Sequence, residues 1–321
     1  MIKFIDLFCG IGGFRVALES FGMKCVFSAD INTHACQMYE ANFGHNPYCD
    51  VTQVNSQEIP DFDILCAGFP CQAFSIAGKK LGFNEARGTL FFEICRIVEA
   101  KKPKVLILEN VKNLLLHDNK NTFKVILNSL DNIGYNVQFK LLNAKDFGVP
   151  QSRERVIIVA TRKDEKEFDF NLVKSSKPVS LESIISHQDN YIEPSLYTLL
   201  EKRTVQKTGL IFSGYLNKNI RINGVLPNTL HLSRTHKQNN RIYCATGVNP
   251  TLSSQETSGR YYISIEDKVR KINLEECFKL MGFPDDFKKI GSQSNLYQRI
   301  GNSVCVPMIK AVANNIKKQL F

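Results

Sequence analysis

The 321-residue sequence contains no apolar run close to the roughly 18–20 residues that a membrane-spanning helix needs. Its first ten residues, MIKFIDLFCG, lead directly into an apolar segment and lack the layout of a signal peptide. We therefore expect a cytoplasmic protein. Hydrophobic residues make up 43% of the chain and charged ones 22%, which excludes a disordered tail, a collagenous chain and a coiled coil.

The ten cysteines include no C-x-x-C pair, and the six histidines form no cluster with metal-ligand spacing. Structural zinc sites need ligands paired at short spacing, so we expect no metal. Most of the cysteines lie in apolar, strand-like or helix-like contexts. Free buried thiols are the ordinary state for such residues in a reducing compartment.

Positive charge is concentrated in one segment of the chain. Residues 1–200 carry 22 basic and 23 acidic side chains, whereas residues 201–243 carry eight basic side chains and one acid, Glu201. A near-neutral body with a basic middle segment indicates a local contact with a polyanion. A solvated basic face would produce the same pattern, and charge alone does not separate the two.

The first half of the chain alternates short apolar runs with amphipathic stretches. This alternation predicts βαβ units and an α/β fold with a doubly wound, mostly parallel sheet. The expected strands are Lys3–Phe8, Lys24–Ala29, Asp63–Ala67, Lys104–Leu108, Asn136–Leu142 and Arg155–Ala160. The expected helices are Phe14–Phe21, Thr33–Asn42, Thr89–Lys101 and Thr122–Ile133.

The alternation stops after about residue 163. A charged stretch ending at Pro178 predicts a linker, and the short polar runs that follow, to about Ser264, predict a smaller, irregular, β-leaning domain. Helical periodicity returns at Asn273–Met281 and Pro307–Leu320. We therefore predict one domain formed by residues 1–178 and 296–321, and a second domain with a hinge over residues 179–295.

The ends of the first strands carry residues suited to a nucleoside. A glycine-rich turn with Gly10, Gly12 and Gly13 would let a ligand approach the backbone at a helix N-terminus, although tight packing alone would also explain it. Its G-x-G-G spacing departs from the dinucleotide fingerprint, which disfavours a nicotinamide oxidoreductase. Asp30 and Asp50 follow the next two segments. Either acid alone would be a cap or turn residue, but acids at successive strand ends predict a nucleoside site.

Two later strands end in residues suited to covalent chemistry. Cys71 follows a proline in the loop after a strand, where a thiolate can be reached and activated, although an inert loop cysteine is the plainer interpretation. Glu109 ends a run of four aliphatic residues, where partial desolvation favours its protonated form; a helix cap or a salt bridge is the alternative. Arg153 and Arg155 alternate on one face of an extended segment and suit oxygen anions, unless they form a surface salt bridge with Glu154.

The segments DLFCGIGG, GFPCQAFS, RGTLFF, ENV, QSRERV and QRIGNSV, together with Asp30, occur in the order and with the gaps of one known family. The sequence resembles the DNA (cytosine-5) methyltransferases of bacterial restriction–modification systems, strongly over about residues 1–162 and 268–321. The resemblance implies an S-adenosyl-L-methionine-dependent methyltransferase fold. It makes residues 1–178 and 296–321 the catalytic and cofactor-binding domain, and residues 179–295 the target-recognition domain.

The resemblance also implies a mechanism. Cys71 would attack cytosine C6 while Glu109 protonates or hydrogen-bonds N3, and C5 would then take the methyl group and leave S-adenosyl-L-homocysteine as product. Arg153 and Arg155 would bind O2 of the base and nearby phosphate. One relative has tryptophan where this sequence has Ile31, so an aromatic stack on the adenine is not expected. The implied cofactor residues are Phe8, Gly10, Ile11, Gly12, Asp30, Ile31, Asp50, Gly68, Pro70, Leu90 and Asn302.

Ring chemistry at C5 and C6 requires the target base to be flipped out of duplex DNA. The loop from about Ala73 to Gly88 is expected to be a lid, and the basic middle segment is expected to read the sequence. The expected DNA contacts are Lys79, Lys80, Arg221, Arg234, Lys237, Gln238 and Arg241. We expect a monomeric, protective methylase paired with a cognate restriction endonuclease. An RNA cytosine-5 methyltransferase and a catalytically inactive DNA-binding homologue remain alternatives.

Overall fold

The computed structural model describes residues 1–70, 90–186, 190–217, 240–255 and 261–321. The strands of its main sheet are β1 (Lys3–Leu7), β2 (Lys24–Ala29), β3 (Ile64–Gly68), β4 (Val105–Val111), β5 (Tyr135–Asn143) and β7 (Glu154–Arg162). Their order in the sheet is β2-β1-β3-β4-β7-β5. β1, β2, β3 and β4 pair in parallel, and antiparallel β7 lies between β4 and β5. The predicted α/β class with a mostly parallel sheet is confirmed.

Helices cover both faces of this sheet. They are α1 (Gly13–Glu19), α2 (Thr33–Phe43), α3 (Leu90–Lys101) and α4 (Asn121–Asn132). Successive residues of a strand point to opposite faces, so one strand contributes to two cores. On β4, Ile107 belongs to one hydrophobic cluster and Leu108 to the other, and both side chains are fully buried. Burial on both faces explains why these strands are near-continuous apolar runs.

A second sheet of five strands has the order β13-β12-β10-β9-β8. These strands are β8 (Tyr197–Leu199), β9 (Phe212–Leu216), β10 (Arg241–Cys244), β12 (Tyr262–Ile265) and β13 (Lys268–Lys271). A short parallel pair, β6 (Gln151–Ser152) with β11 (Asn249–Pro250), joins the two parts of the chain. The β-leaning second unit is therefore confirmed, and its strands form a more regular sheet than the sequence indicates.

Three helices complete the described fold: α5 (Leu274–Leu280), α6 (Gln293–Asn302) and α7 (Val306–Leu320). α7 returns to the first part of the chain and packs against α1. α6 is not among the helices expected from the sequence. Asn302, expected to bind the cofactor, is the last residue of α6. No helix in the described ranges is long and apolar enough to cross a membrane.

The charged stretch that ends at Pro178 does more than connect two units. Phe168 and Phe170 are buried in the same hydrophobic cluster as Phe14 of α1 and Ile309 of α7. Their rings contact each other at 4.9 Å between centroids. The expectation of a plain linker is wrong at these two positions, because alternating charged residues obscured an apolar pair that covers the core.

Candidate active site and cofactor pocket

A cavity of about 670 Å³ opens where the parallel strands end. Its walls come from the turns after β1, β2 and β3, from the end of β4, from residues 251–254 and from the end of α6. Within the described ranges, every expected catalytic and cofactor residue except Gly12 lines this cavity. These lining residues are Phe8, Gly10, Ile11, Asp30, Ile31, Asp50, Gly68, Pro70, Leu90, Glu109, Arg153, Arg155 and Asn302.

The turn after β1 requires glycine for two different reasons. Gly10 has φ +54°, and a Cβ built on it meets no atom within 4 Å, so this position is open to the cavity. Gly12 has φ +88°, and a Cβ there would overlap the Phe43 ring and lie 3.1 Å from the Tyr39 ring. Gly12 therefore allows α1 to pack closely on α2, whereas Gly10 leaves room for a ligand.

Asp30 shapes the glycine-rich turn. Its Oδ2 accepts a hydrogen bond from the Gly10 backbone N–H at 2.8 Å, and its Oδ1 accepts one from Asn32 N–H at 2.7 Å. A carboxylate has further lone pairs, so a ribose hydroxyl could still donate to it. Ile31 is 66% exposed beside it, so its side chain leaves this side of the cavity open.

Asp50 is less directly placed at a strand end than the sequence suggests. The segment before it makes a single β-bridge, between Tyr48 and Asp30, instead of a strand. Asp50 then caps a short 3-10 turn, where its Oδ1 accepts hydrogen bonds from Thr52 N–H at 3.0 Å and from the Thr52 hydroxyl at 2.8 Å. The carboxylate is exposed and still lines the cavity, so it is a turn cap at the rim.

Glu109 and Arg155 form an ion pair at the ends of adjacent strands. β4 and antiparallel β7 bring them together, with Arg155 Nε 3.1 Å from Glu109 Oε1 and each side chain about nine-tenths buried. Of the alternatives for Glu109, the structure therefore shows the salt bridge, with Arg155 as the partner. Glu154 pairs with Lys112 at 2.9 Å, so the alternative of an arginine–Glu154 salt bridge is wrong.

Arg153 is held differently from Arg155. Its guanidinium donates hydrogen bonds to the carbonyl oxygens of Leu252 at 3.0 Å, Gly301 at 3.0 Å and Ser303 at 2.8 Å. Burial, reinforced by the charge of Arg155, lowers the pKa of Arg153 to about 9. The side chain therefore fastens two distant segments to β6 and β7. That Arg153 contacts the substrate stays a prediction.

The loop leading to the expected nucleophile is fixed by a residue that the sequence reasoning did not single out. Asn110, buried next to Glu109, donates from Nδ2 to the Phe69 carbonyl at 2.8 Å and accepts from Val111 N–H. This contact positions the backbone just before Pro70, which lines the cavity. Cys71 itself lies outside the described residues, as do Lys79 and Lys80. The signal for Asn110 was its place in the ENV motif.

Most of the expected DNA contacts also lie outside the described residues: Arg221, Arg234, Lys237 and Gln238. Arg241 is described. It begins β10 and pairs with Tyr215 of β9, with its side chain partly buried. It therefore stands at the end of the undescribed stretch 218–239, within the basic segment.

The structure adds further residues to the cavity wall. Arg299 and Asn302 stand three positions apart on α6 and both line the cavity, as do residues 251–254. A Cβ on Gly301 would overlap the Ser253 carbonyl, so glycine permits close contact between these two walls. The part of the chain that the structure describes holds no group of three His, Cys, Asp or Glu side chains placed for a metal ion.

Comparisons with known proteins give a consistent result. A family model described as C-5 cytosine-specific DNA methylase matches residues 2–318. The Type II methyltransferase M.HhaI of Haemophilus parahaemolyticus is 42% identical, over 99% of this chain and 95% of its own. The Type II methyltransferase M.HaeII of Haemophilus aegyptius is also 42% identical, over 99% and 93% of the two chains.

Solved structures share the fold at lower sequence identity. The Dnmt2 methyltransferase of S. pombe superposes with a TM-score of 0.71 at 18% identity, over 99% of this chain and 98% of its own. A putative DNA modification methyltransferase from an E. coli prophage gives 0.69 at 17% identity, over 99% of both chains. The match to the family model over nearly the whole length, with the two relatives at 42% identity, shows that the chain belongs to the C-5 cytosine-specific DNA methylase family.

Proposed function

We propose that the protein transfers a methyl group from S-adenosyl-L-methionine to C5 of a flipped-out cytosine in duplex DNA, through a covalent bond between Cys71 and C6. The observation that carries the proposal is the shared cavity. The Glu109–Arg155 ion pair, the glycine-rich turn and Asp30 open onto one space, so a base and a methyl donor would meet there. Family membership supplies the reaction class.

The residues present fit the methyl donor. A volume of about 670 Å³ is within the range of pockets that enclose a small molecule. Phe8, Ile11 and Leu90 offer apolar walls for a purine, and Asp30 and Asp50 offer acceptors for ribose and adenine donors. The open position at Gly10 admits a ligand close to the backbone. When bound, the cofactor supplies the methyl group, an electrophilic carbon.

The chain's own residues prepare the base. Cytosine C6 is a poor electrophile, so we assign Cys71 thiolate as the nucleophile and Glu109 as the residue that protonates or hydrogen-bonds N3. A new S–C6 bond makes C5 nucleophilic. C5 then takes the methyl group as its bond to the donor's sulfonium sulfur breaks. The C5 proton passes to solvent, and the S–C6 bond breaks to restore the ring and release Cys71 as a thiolate, with the N3 proton returning to Glu109.

The ion pair divides the two carboxylate oxygens of Glu109. Arg155 engages Oε1, and Oε2 lies toward the end of β3, 3.9 Å from a Cβ built on Gly68. β3 leads towards Cys71, three residues after its end in the sequence. We therefore assign Oε2 to N3 of the base, with Arg155 orienting Glu109 and contacting O2. Arg153 we assign to positioning, because both of its terminal nitrogens donate to backbone carbonyls.

Sequence choice we assign to residues 179–295, and within them to the basic segment 201–243. It carries eight basic side chains against one acid. Phosphate contacts give sequence-blind affinity that falls with salt, whereas contacts to base edges choose the site. Lys218→Ala should weaken binding to all duplexes alike, and Arg241→Ala should relax the choice at one position, at a cost of about 1–3 kcal/mol.

The biological setting we propose is that of a cytoplasmic monomer acting as the protective methylase beside a cognate restriction endonuclease. Support for this setting comes from the relatives, which carry the name Type II methyltransferase. Co-purification with an endonuclease, and the mass of the protein in solution, would test it.

The decisive experiment is transfer of labelled methyl from S-adenosyl-L-methionine to duplex DNA and, in parallel, to RNA, followed by bisulfite sequencing. We expect label in duplex DNA at one sequence context. Cys71→Ser should abolish transfer and leave cofactor binding near the wild-type value, because a serine hydroxyl has too high a pKa to attack C6. Turnover of the serine variant within about tenfold of wild type would contradict the covalent mechanism, and label confined to RNA would contradict the substrate.

A further inference from the structure

Three arginines line the cavity within the described residues, and two of them have strong partners. Arg153 donates to three carbonyls, and Arg155 pairs with Glu109. Arg299 differs, because its one hydrogen bond there is a long contact of 3.4 Å to its neighbour Gln298. No carboxylate of the described chain lies within 4 Å of its nitrogens. It is thus a cation in the cavity wall without an anion.

Burial makes this arrangement costly. Arg299 is only partly exposed, and burial lowers its pKa, while the more distant charge of Asp30 raises it. A guanidinium remains protonated in proteins and holds five donors in a rigid fork. A half-buried guanidinium whose donors make one long hydrogen bond to the described chain is suited to an oxygen anion, above all a carboxylate that can accept two parallel hydrogen bonds.

The position of Arg299 limits which part of a ligand it meets. On α6 it shares a face with Asn302, one turn later, and both open onto the cavity. The proposed function places adenine at Asp50, ribose at Asp30 and the reacting base at Glu109. The remaining wall is formed by the glycine-rich turn, residues 251–254 and the end of α6. The amino-acid end of the methyl donor would lie along this wall.

We propose that Arg299 binds the α-carboxylate of the methyl donor and so selects ligands that carry an intact amino-acid end. The inference rests on the proposed function, because it assumes that S-adenosyl-L-methionine occupies this cavity. Asp30 does not replace the ligand carboxylate, because it forms no ion pair with Arg299 within 4 Å and acts on it only as a more distant charge. A charge-assisted, bidentate contact of this kind contributes about 10- to 100-fold in affinity.

The test compares two ligands in the absence of DNA. S-adenosyl-L-homocysteine and its decarboxylated analogue differ in the carboxylate alone, and calorimetry would measure both with wild type and Arg299→Gln. We expect wild type to prefer the carboxylate ligand by about 10- to 100-fold, and Arg299→Gln to lose that preference while it binds the decarboxylated ligand as before. Arg299→Lys should keep part of the preference for the carboxylate ligand, because lysine retains the positive charge. Lys310→Gln on α7, outside the cavity lining, controls for the loss of one positive charge.

Four results would overturn the inference. An equal loss for both ligands in Arg299→Gln would make the residue a packing element of α6. Unchanged affinity for both ligands, with weaker binding to duplex DNA, would make it a phosphate contact. If wild type bound neither ligand, the proposed function itself would fail, and the inference with it; a wild type that binds both equally would reject the inference alone.

Discussion

Replacing Arg153 with lysine isolates the contribution of its planar, multi-donor head group. Lysine keeps the positive charge, but its single ammonium cannot reach three carbonyls that a guanidinium fork spans. The carbonyls of Leu252, Gly301 and Ser303 lie 99 to 150 residues away in sequence. Because these residues all line the cavity, losing them as partners would release two of its walls.

The expected loss of stability follows from the three hydrogen bonds, at 3.0, 3.0 and 2.8 Å. A hydrogen bond from a charged donor contributes about 1.5–3 kcal/mol, and lysine can keep about one of the three. The substitution should therefore lower the free energy of unfolding by about 3–6 kcal/mol. With an unfolding entropy of about 2.1 cal/mol/K per residue, this corresponds to a Tm lower by about 5–9 °C.

Arg155→Lys is the matched control, two residues further along the same stretch of chain. Its side chain has one charged partner, Glu109, and lysine can keep that ion pair. We expect Arg155→Lys to lose less stability than Arg153→Lys, while its turnover falls, because an ammonium cannot reproduce the guanidinium's contacts with Glu109 and the base. Calorimetric melting, together with calorimetric binding of S-adenosyl-L-homocysteine, would separate the two variants. A melting temperature of Arg153→Lys within about 1 °C of wild type would refute the view that this side chain fastens the cavity walls.

Three further predictions concern the reacting carboxylate, the glycine-rich turn and the buried thiols. Glu109→Gln should lower kcat for methyl transfer by about 10²–10⁴, because glutamine cannot deliver a proton to N3; wild-type turnover would remove Glu109 from the mechanism. Gly12→Ala should lower the free energy of unfolding, measured by urea titration, by more than Gly22→Ala does. Both glycines have a positive φ, but only a Cβ at position 12 would meet Phe43 and Tyr39. Equal losses of stability in the two variants would mean that backbone strain alone accounts for the effect. Stability should fall as pH rises above about 8.5, the pKa of an unfolded thiol, since burial raises the pKa of Cys305 to about 11 and only the folded state keeps that proton. Urea titrations at pH 8 and pH 10 should show a smaller fall for Cys305→Ala, and an unchanged fall would exclude this thiol as a source.

The first half of the fold could be predicted from the sequence because its signals are local. A strand buried on both faces must be apolar throughout, and Val105–Leu108 satisfies both hydrophobic clusters at once. The turn after β1 needs a glycine at position 12 for steric reasons, and the glycine-rich motif in the sequence indicates this turn directly. By contrast, α6 begins with the polar residues Gln293, Ser294 and Asn295, so its apolar face was too short to recognise.

For the candidate site, the sequence predicts which residues reach the cavity but not which residues they pair with. Strand order alone brings Glu109 to the same edge as the glycine-rich turn, so its presence at the cavity follows from the βαβ pattern. The identity of its partner, Arg155, does not follow from that pattern. The pairing depends on β7 entering the sheet antiparallel beside β4, which the sequence does not specify.

The partners of Arg153 and Arg155 are also not predictable from the sequence. They have the same residue type and lie two positions apart in one stretch of chain, yet one is fixed by a carboxylate and the other by three carbonyls. Backbone carbonyls are present at every residue and carry no sequence signature. An arginine that binds them therefore cannot be distinguished, from sequence, from one that binds a substrate anion. Only the folded backbone separates the two roles, and the paired lysine substitutions at these positions measure that separation directly.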